Sequence, residues 1–217
     1  KKKIFDIVFL LVILGVIGSR LYHVFSELAY YLSKPLKIFY IWNGGLGIYG
    51  AILASLIVIW FFVHKTSLSS ARSTTPDKRL IRNKYFHILD LLAPALALGQ
   101  TIGRWGNYFN QELYGLPSNL PWSIPISLEN RLAQVVEFTY FHPTFLYESL
   151  WCLLLFLVLY LLASKKSFQP GFIFLLYIML YSTQRFLIEF LRIDYQPFFL
   201  GLRLGQWTSL VFIIVAI

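Results

Sequence analysis

The apolar positions of this chain neither alternate nor form a single stripe per helix; they come in nearly unbroken runs. Ile4–Gly18 contains one charge, Asp6. Leu46–Val63 contains none, and Thr144–Ala163 contains only Glu148. A helix rises about 1.5 Å per residue, so runs of roughly 15 to 20 residues approach or match a hydrocarbon layer about 30 Å thick. A soluble core helix is normally shorter and keeps a polar face. The pattern predicts six helical spans, at 4–25, 46–63, 86–103, 144–163, 171–191 and 203–217. The expected fold is an all-α polytopic transmembrane helix bundle, a single domain over 1–217.

Charge orients the bundle. Of 217 residues, 58% are hydrophobic and only 13% charged, about half the charged share of an ordinary soluble domain. The net charge of +9 would suit a nucleic-acid binder, but its placement points elsewhere. Lys1, Lys2 and Lys3 precede the first span. Lys65, Arg72, Lys78, Arg79, Arg82 and Lys84 join the second to the third, and Lys165 and Lys166 join the fourth to the fifth. With six spans these basic segments fall on one side, as cytoplasmic connections do, which puts Lys1 in the cytoplasm and excludes nucleic acid as a partner. The single cysteine, Cys152, lies within an apolar run and rules out a disulfide framework. The chain begins on Lys1 rather than Met, and the last span stops at Ile217 without a polar flank, so a seventh span ahead of Lys1 is expected in the full-length protein.

Two connections stand apart. Thr66–Asp77, rich in Ser and Thr, reads as a flexible linker. The 104–143 segment lies on the opposite side and carries Trp105, Tyr108, Tyr114, Trp122, Tyr140 and Phe141 among prolines and glycines. It reads as an extracytoplasmic arm at the bilayer interface, with short interfacial helices.

Candidate chemistry comes from the residues that resist burial in lipid, because an ionisable group at membrane depth costs roughly 2.5 to 3.5 kcal/mol or more to insert. Gly103–Gly115 follows the third span and packs Arg104, Asn107, Asn110, Gln111 and Glu112 among three glycines. It is either a folded loop that grips a polar group or a helix end with a snorkelling arginine. Arg104 offers forked donors to a phosphate or carboxylate, and Glu112 could orient that arginine or move a proton. Late in the fifth span, Arg185, Glu189 and Arg192 share one helix face. They form either a salt bridge that lowers insertion cost or a cationic stripe for an anionic ligand. Gly44–Gly50 holds four glycines in seven residues beside Tyr49, which suits close helix packing or a ligand against the backbone. His142–Glu148 opens the fourth span, and Arg20 ends the first. By topology all five pieces lie toward the outer leaflet. The four histidines are scattered, so no metal site is expected, and no cofactor.

These residues resemble the prolipoprotein diacylglyceryl transferase family. Its signature Gly-Arg-x-Gly/Ala-Asn-Phe-x-Asn-x-Glu-x-x-Gly is matched by Gly103, Arg104, Gly106, Asn107, Asn110, Glu112 and Gly115, with Tyr108 in place of Phe. The other three constellations look like family segments in the same order. Some members have a histidine at the position of Tyr49 and others a tyrosine. Members also have an N-terminal span with a functional tyrosine, which is expected to precede Lys1 here. The resemblance implies transfer of the diacylglyceryl group from phosphatidylglycerol to the lipobox cysteine of preprolipoproteins, in a bacterial cytoplasmic membrane. It implies a catalytic set of Arg104, Glu112, Arg185, Tyr49 and Glu189. The lipid would be bound by Arg104, Asn107, Asn110, Gly115, Arg185, Arg192 and His142, with Asn107 hydrogen-bonding the phosphate and Glu112 or Glu189 positioning the arginines. Tyr49 or a carboxylate is the candidate base. Two other readings remain open at this point: a catalytically inactive homologue, and a transporter that binds lipid or anions.

Overall fold

The computed structural model describes residues 2–70, 78–165 and 168–217. Lys1, Arg72, Lys166 and the 71–77 part of the expected linker lie outside the described residues. The described residues form seven α-helices: α1 Lys2–Ser26, α2 Leu28–Ser33, α3 Ile48–Ser70, α4 Lys78–Phe109, α5 Thr144–Ser164, α6 Phe172–Ile188 and α7 Leu204–Ala216. Two antiparallel ribbons accompany them, β1 Ile124–Pro125 with β2 Tyr140–Phe141, and β3 Phe198–Phe199 with β4 Leu202–Arg203.

The fold is an all-α membrane helix bundle. Among the described residues three helices are long and apolar enough to cross a bilayer, Asp6–Ser26, Arg79–Phe109 and Thr144–Ser164. Tyr49–Lys65, Phe172–Ile188 and Leu204–Ala216 are shorter apolar helices. Phe9, Val12 and Phe25 on α1, Leu53 and Phe61 on α3, and Leu154 and Leu161 on α5 all stand exposed. In water such apolar surface would be an aggregation liability; against lipid it is the ordinary outward face.

The chain divides into two compact units, 1–85 and 86–217. In the first, α1 packs along α3 through small residues. A Cβ on Gly50 would strike the Gly18 carbonyl, and one on Gly18 would lie 2.6 Å from the Gly50 carbonyl. Gly50 therefore serves close helix approach, whereas Gly44 has open space around it, and Ser19 and Gly47 lock the crossing with reciprocal hydrogen bonds of 3.0 Å. Arg20, 7% exposed, donates to the carbonyls of Lys37, Ile38, Tyr40, Gly44 and Gly45 and pins the segment between α1 and α3. The expected linker begins later than its composition indicated, because α3 continues through Ser70.

In the second unit, Ala93, Ala97, Leu155, Leu159, Ile173 and Tyr177 form the apolar seam of α4, α5 and α6. Polar links fix the register. Ser149 Oγ donates to the Thr101 carbonyl at 2.9 Å, and Trp151 Nε1 donates to the Leu180 carbonyl at 3.2 Å. Asp90 of α4 accepts from the backbone N–H groups of Gly171 and Phe174 at 2.7 and 2.9 Å, and so caps α6 from outside its own chain segment.

Two helix ends differ from expectation. α4 runs to Phe109, so the first seven signature positions are helical and not a folded loop. A Cβ on Gly103 or Gly106 would meet nothing within 4 Å, so neither glycine answers to a close contact among the described residues. α6 stops at Ile188, and the chain then turns and bridges Gly115 with Arg192. The arm accordingly starts at Asn110. Its expected interfacial helices are instead the β1–β2 ribbon and two 3-10 turns, Leu128–Asn130 and Ala133–Val135.

Candidate active site

In the second unit the charges that the spans resist burying gather around Glu148. This residue sits in the second turn of α5, 2% exposed, with the apolar body of the helix beyond it. A carboxylate so buried needs cations, and three converge on it. Arg104 from the last turns of α4 makes a direct ion pair through Nε. Arg185 of α6 stands 3.8 Å away and Arg192 3.9 Å. Arg104 also reaches the Tyr181 hydroxyl at 3.4 Å.

Glu189, 1% exposed, forms the next link. It pairs with Arg185 Nη2 at 2.8 Å, one helical turn back, and with Arg203 Nη1 at 3.2 Å. Arg203 caps the start of α7, and its guanidinium also donates to the Asp194 carbonyl at 3.1 Å. Arg192 does not continue the α6 face. Beyond the helix end it pairs with Asp194 at 2.7 Å. Burial alone would raise the Asp194 carboxyl, but the hydrogen bond and charge of Arg192 outweigh it and hold that group below the usual carboxylate range. Four guanidiniums thus meet three carboxylates, and one positive charge is in excess. Such a cluster, half sealed from water, is suited to an anion.

The signature residues beyond Arg104 do different work. The Asn107 and Asn110 amides both donate to Glu112, at 3.0 and 3.2 Å. Glu112 therefore ties the end of α4 to the turn that follows and does not touch an arginine; Glu148 has that contact instead. Gln111 and Leu113, on either side of Glu112, both adopt left-handed backbone with φ of 52° and 55°. Non-glycine residues there cost on the order of 1–3 kcal/mol each. Gln111 thereby turns its side chain outward to accept from Ser127 N and Asn130 Nδ2, which anchors the arm. Gly115 lies where the arm crosses between two other strands of chain. A Cβ there would sit 2.8 Å from His142, 2.9 Å from Thr144 and 3.0 Å from the Leu191 carbonyl. Its N–H donates to the His142 carbonyl, and the next N–H donates to that of Leu191. The His142 ring lies 3.1 Å from the Tyr147 hydroxyl, which also accepts from Trp122.

Of the residues singled out from sequence, Arg104, Arg185, Glu189 and Arg192 come together. Asn107, Asn110 and Glu112 form a knot beside the helix end, and Gly115 and His142 hold the crossing. Tyr49 belongs to the first unit, exposed in the first turn of α3 with its ring 5.7 Å from that of Tyr22. Glu148, Tyr181, Asp194 and Arg203 complete the cluster without having been assigned a role. The signal for Glu148 was available, as the lone charge in its run; Arg203 looks from sequence like a flank of the last span.

Fold and cluster together define a multi-pass membrane protein with a buried arginine–carboxylate centre beneath an ordered arm. Over residues 1–217 the chain matches the family described as "Prolipoprotein diacylglyceryl transferase", and it belongs to that family. It is 42% identical over 213 residues to the phosphatidylglycerol--prolipoprotein diacylglyceryl transferase of Gloeobacter violaceus, covering 97% of this chain and 73% of that protein. It is 40% identical over 211 residues to the protein of that name from Nostoc sp., covering 94% and 69%. With phosphatidylglycerol--prolipoprotein diacylglyceryl transferase 2 of Streptomyces coelicolor it shares 39% identity over 206 residues, 94% of this chain and 60% of that protein. The chain thus spans about 60 to 73% of the length of these relatives.

Proposed function

We propose that this protein transfers the diacylglyceryl group of phosphatidylglycerol to the lipobox cysteine thiol of a preprolipoprotein, in the bacterial cytoplasmic membrane. The peptide thiol gives up its proton to a base. Its sulfur attacks the glyceryl carbon that bears the phosphate, a thioether C–S bond forms, and the C–O bond to phosphate breaks. Glycerol 1-phosphate leaves with the electron pair of that bond and gains a proton. Charge builds on the departing phosphate, so the chemistry needs preorganised cations in a site shielded from water.

The observation that carries this reading is the excess of guanidiniums around Glu148. Arg104 and Arg185 both face that carboxylate, each about one-fifth exposed at the side chain, so a phosphate can reach them. Arg192, 5% exposed at the side chain, is held by Asp194 and adds its charge from behind. Glu189 fixes the orientation of Arg185. Glu148, between the arginines that would take the phosphate, is the carboxylate of this cluster that could receive the thiol proton.

The test is transfer by purified full-length protein, with phosphatidylglycerol and a fluorescent lipobox peptide, following both the peptide mass and the released glycerol phosphate. A diacylglyceryl adduct that disappears when the peptide cysteine is replaced by serine is expected. Arg104→Ala and Arg185→Ala should each abolish it in a protein that still folds in membranes. A wild-type rate in folded Arg104→Ala would remove Arg104 from the mechanism.

A further inference from the structure

The first unit carries a second concentration of positive charge, built from different residues. Where α1 ends, a cavity of about 210 Å³ is lined by Arg20, His23, Tyr30, Tyr31, Lys37 and Tyr40. The buried Arg20 spends its donors on five neutral carbonyls, so its hydrogen bonds are satisfied while its charge is not cancelled. Lys37 donates to the Tyr30 hydroxyl at 3.0 Å, and the ammonium groups of Lys34 and Lys37 stand 5.5 and 5.6 Å from that same ring. The Lys37 hydrogen bond pulls the Tyr30 phenol below its ordinary pKa. Asp6 and Glu27 are the carboxylates among the described residues of this unit, and neither forms an ion pair with Arg20, Lys34 or Lys37. Arg20 and Lys37 therefore line one opening, Lys34 stands over the Tyr30 ring that borders it, and none of the three has an ion-pair partner among the described residues.

The rim says what kind of anion fits. Leu36, Phe39 and Trp42, from the same short segment, are 73%, 73% and 74% exposed. Large apolar and aromatic side chains standing out beside lysines are the pattern of a segment lying in the headgroup layer, with rings at the interface and ammonium groups at phosphate depth. A free phosphate has no use for that rim; a lipid has.

We propose that this cavity docks the phosphate of an anionic phospholipid against Lys37 and the surrounding phenols, with Lys34 adding its charge from beside Tyr30 and the acyl chains lying along Leu36, Phe39 and Trp42. Phosphatidylglycerol, the donor in the function proposed above, is the natural probe, but docking here does not require transfer.

The experiment counts lipids bound to the full-length protein by native mass spectrometry from detergent, in an Arg104→Ala/Arg185→Ala background that removes the arginines of the other site. Phosphatidylglycerol adducts should persist in that background, and phosphatidylethanolamine should not replace them. Adding Lys34→Gln/Lys37→Gln should weaken binding roughly 30-fold, given the contribution of two lysines at an anionic headgroup. Lys34→Arg/Lys37→Arg should retain it, and the thermal midpoint should not move, which separates lost docking from lost folding. Unchanged binding in Lys34→Gln/Lys37→Gln would overturn the proposal. Equal displacement by millimolar inorganic phosphate would overturn the assignment to a lipid. Because transfer is not the readout, a failure of the transferase reading leaves this result standing, and the reverse.

Discussion

Glu148→Gln is the most informative single change in this protein, because it removes a charge while keeping the shape. Three guanidiniums face the carboxylate: Arg104 in direct contact, Arg185 at 3.8 Å and Arg192 at 3.9 Å. At an effective dielectric near 20, each pair at that distance is worth about 4 kcal/mol of gross attraction. Much of this is offset by the cost of burying the ions, so the relevant figure is the penalty for leaving buried cations without their anion, about 3–5 kcal/mol. Arg104 and Arg185 are partly open to solvent, which places the expected loss at the lower end of that range. For a chain of this length about 3 kcal/mol lowers the thermal midpoint by on the order of 10 °C. Thermal unfolding in detergent measures this, and initial transfer rates on the same preparation measure function, which should fall at least 100-fold as the arginines move apart. Glu148→Asp should recover part of both. If Glu148→Gln unfolds within 2 °C of the wild type and transfers normally, Glu148 is not the hub of the cluster.

The remaining expectations concern the supports. Arg203→Gln leaves Glu189 with Arg185 alone; it should lower kcat about tenfold, in keeping with loss of charge-assisted hydrogen bonds, with little change in KM, and Arg203→Lys should restore part of it. Gly115→Ala forces a Cβ against His142, Thr144 and the Leu191 carbonyl; a loss of about 1–3 kcal/mol and faster proteolysis within 110–143 are expected. The Asp194 carboxyl is held below its ordinary value, so its contribution to stability is complete above about pH 4 and disappears as pH falls through its lower folded value. Thermal midpoints between pH 6 and pH 3 should therefore drop more steeply for the wild type than for Asp194→Asn.

Much of the fold is legible in the apolar runs. α1, α5 and α7 begin and end close to where hydrophobicity changes, because a lipid-facing helix has little else to define it. The ends of α4 and α6 are not legible in the same way. Gly103 and Gly106 look like loop residues, yet helical hydrogen bonding carries through them, and α6 gives way after Ile188 to a turn that leads to the Gly115–Arg192 bridge. At the site, Arg104, Arg185 and Glu189 stand out as charges in apolar surroundings. Which carboxylate meets which arginine was not readable, since Glu148 lies 44 positions from Arg104 and 37 from Arg185 and only helix packing brings them together. Glu112 looked like the arginine partner through proximity in sequence, but its neighbours Asn107 and Asn110 satisfy it first.

The cap that Asp90 provides for α6 also sets an order of assembly. Its carboxylate belongs to α4, but the amide of Gly171 that it accepts lies 81 residues later. A ribosome adding about 5–20 residues per second delivers that amide roughly 4–16 s after Asp90 has been made. Through that interval the carboxylate has no backbone donors from α6 and depends on water, so α4 stays hydrated around Asp90 until α6 arrives. The second unit is therefore closed from its later helices back onto its earlier ones, and Asp90 in a nascent chain halted before Gly171 should react faster with water-soluble carboxyl reagents than in the finished protein, where Gly171 and Phe174 hold both its oxygens.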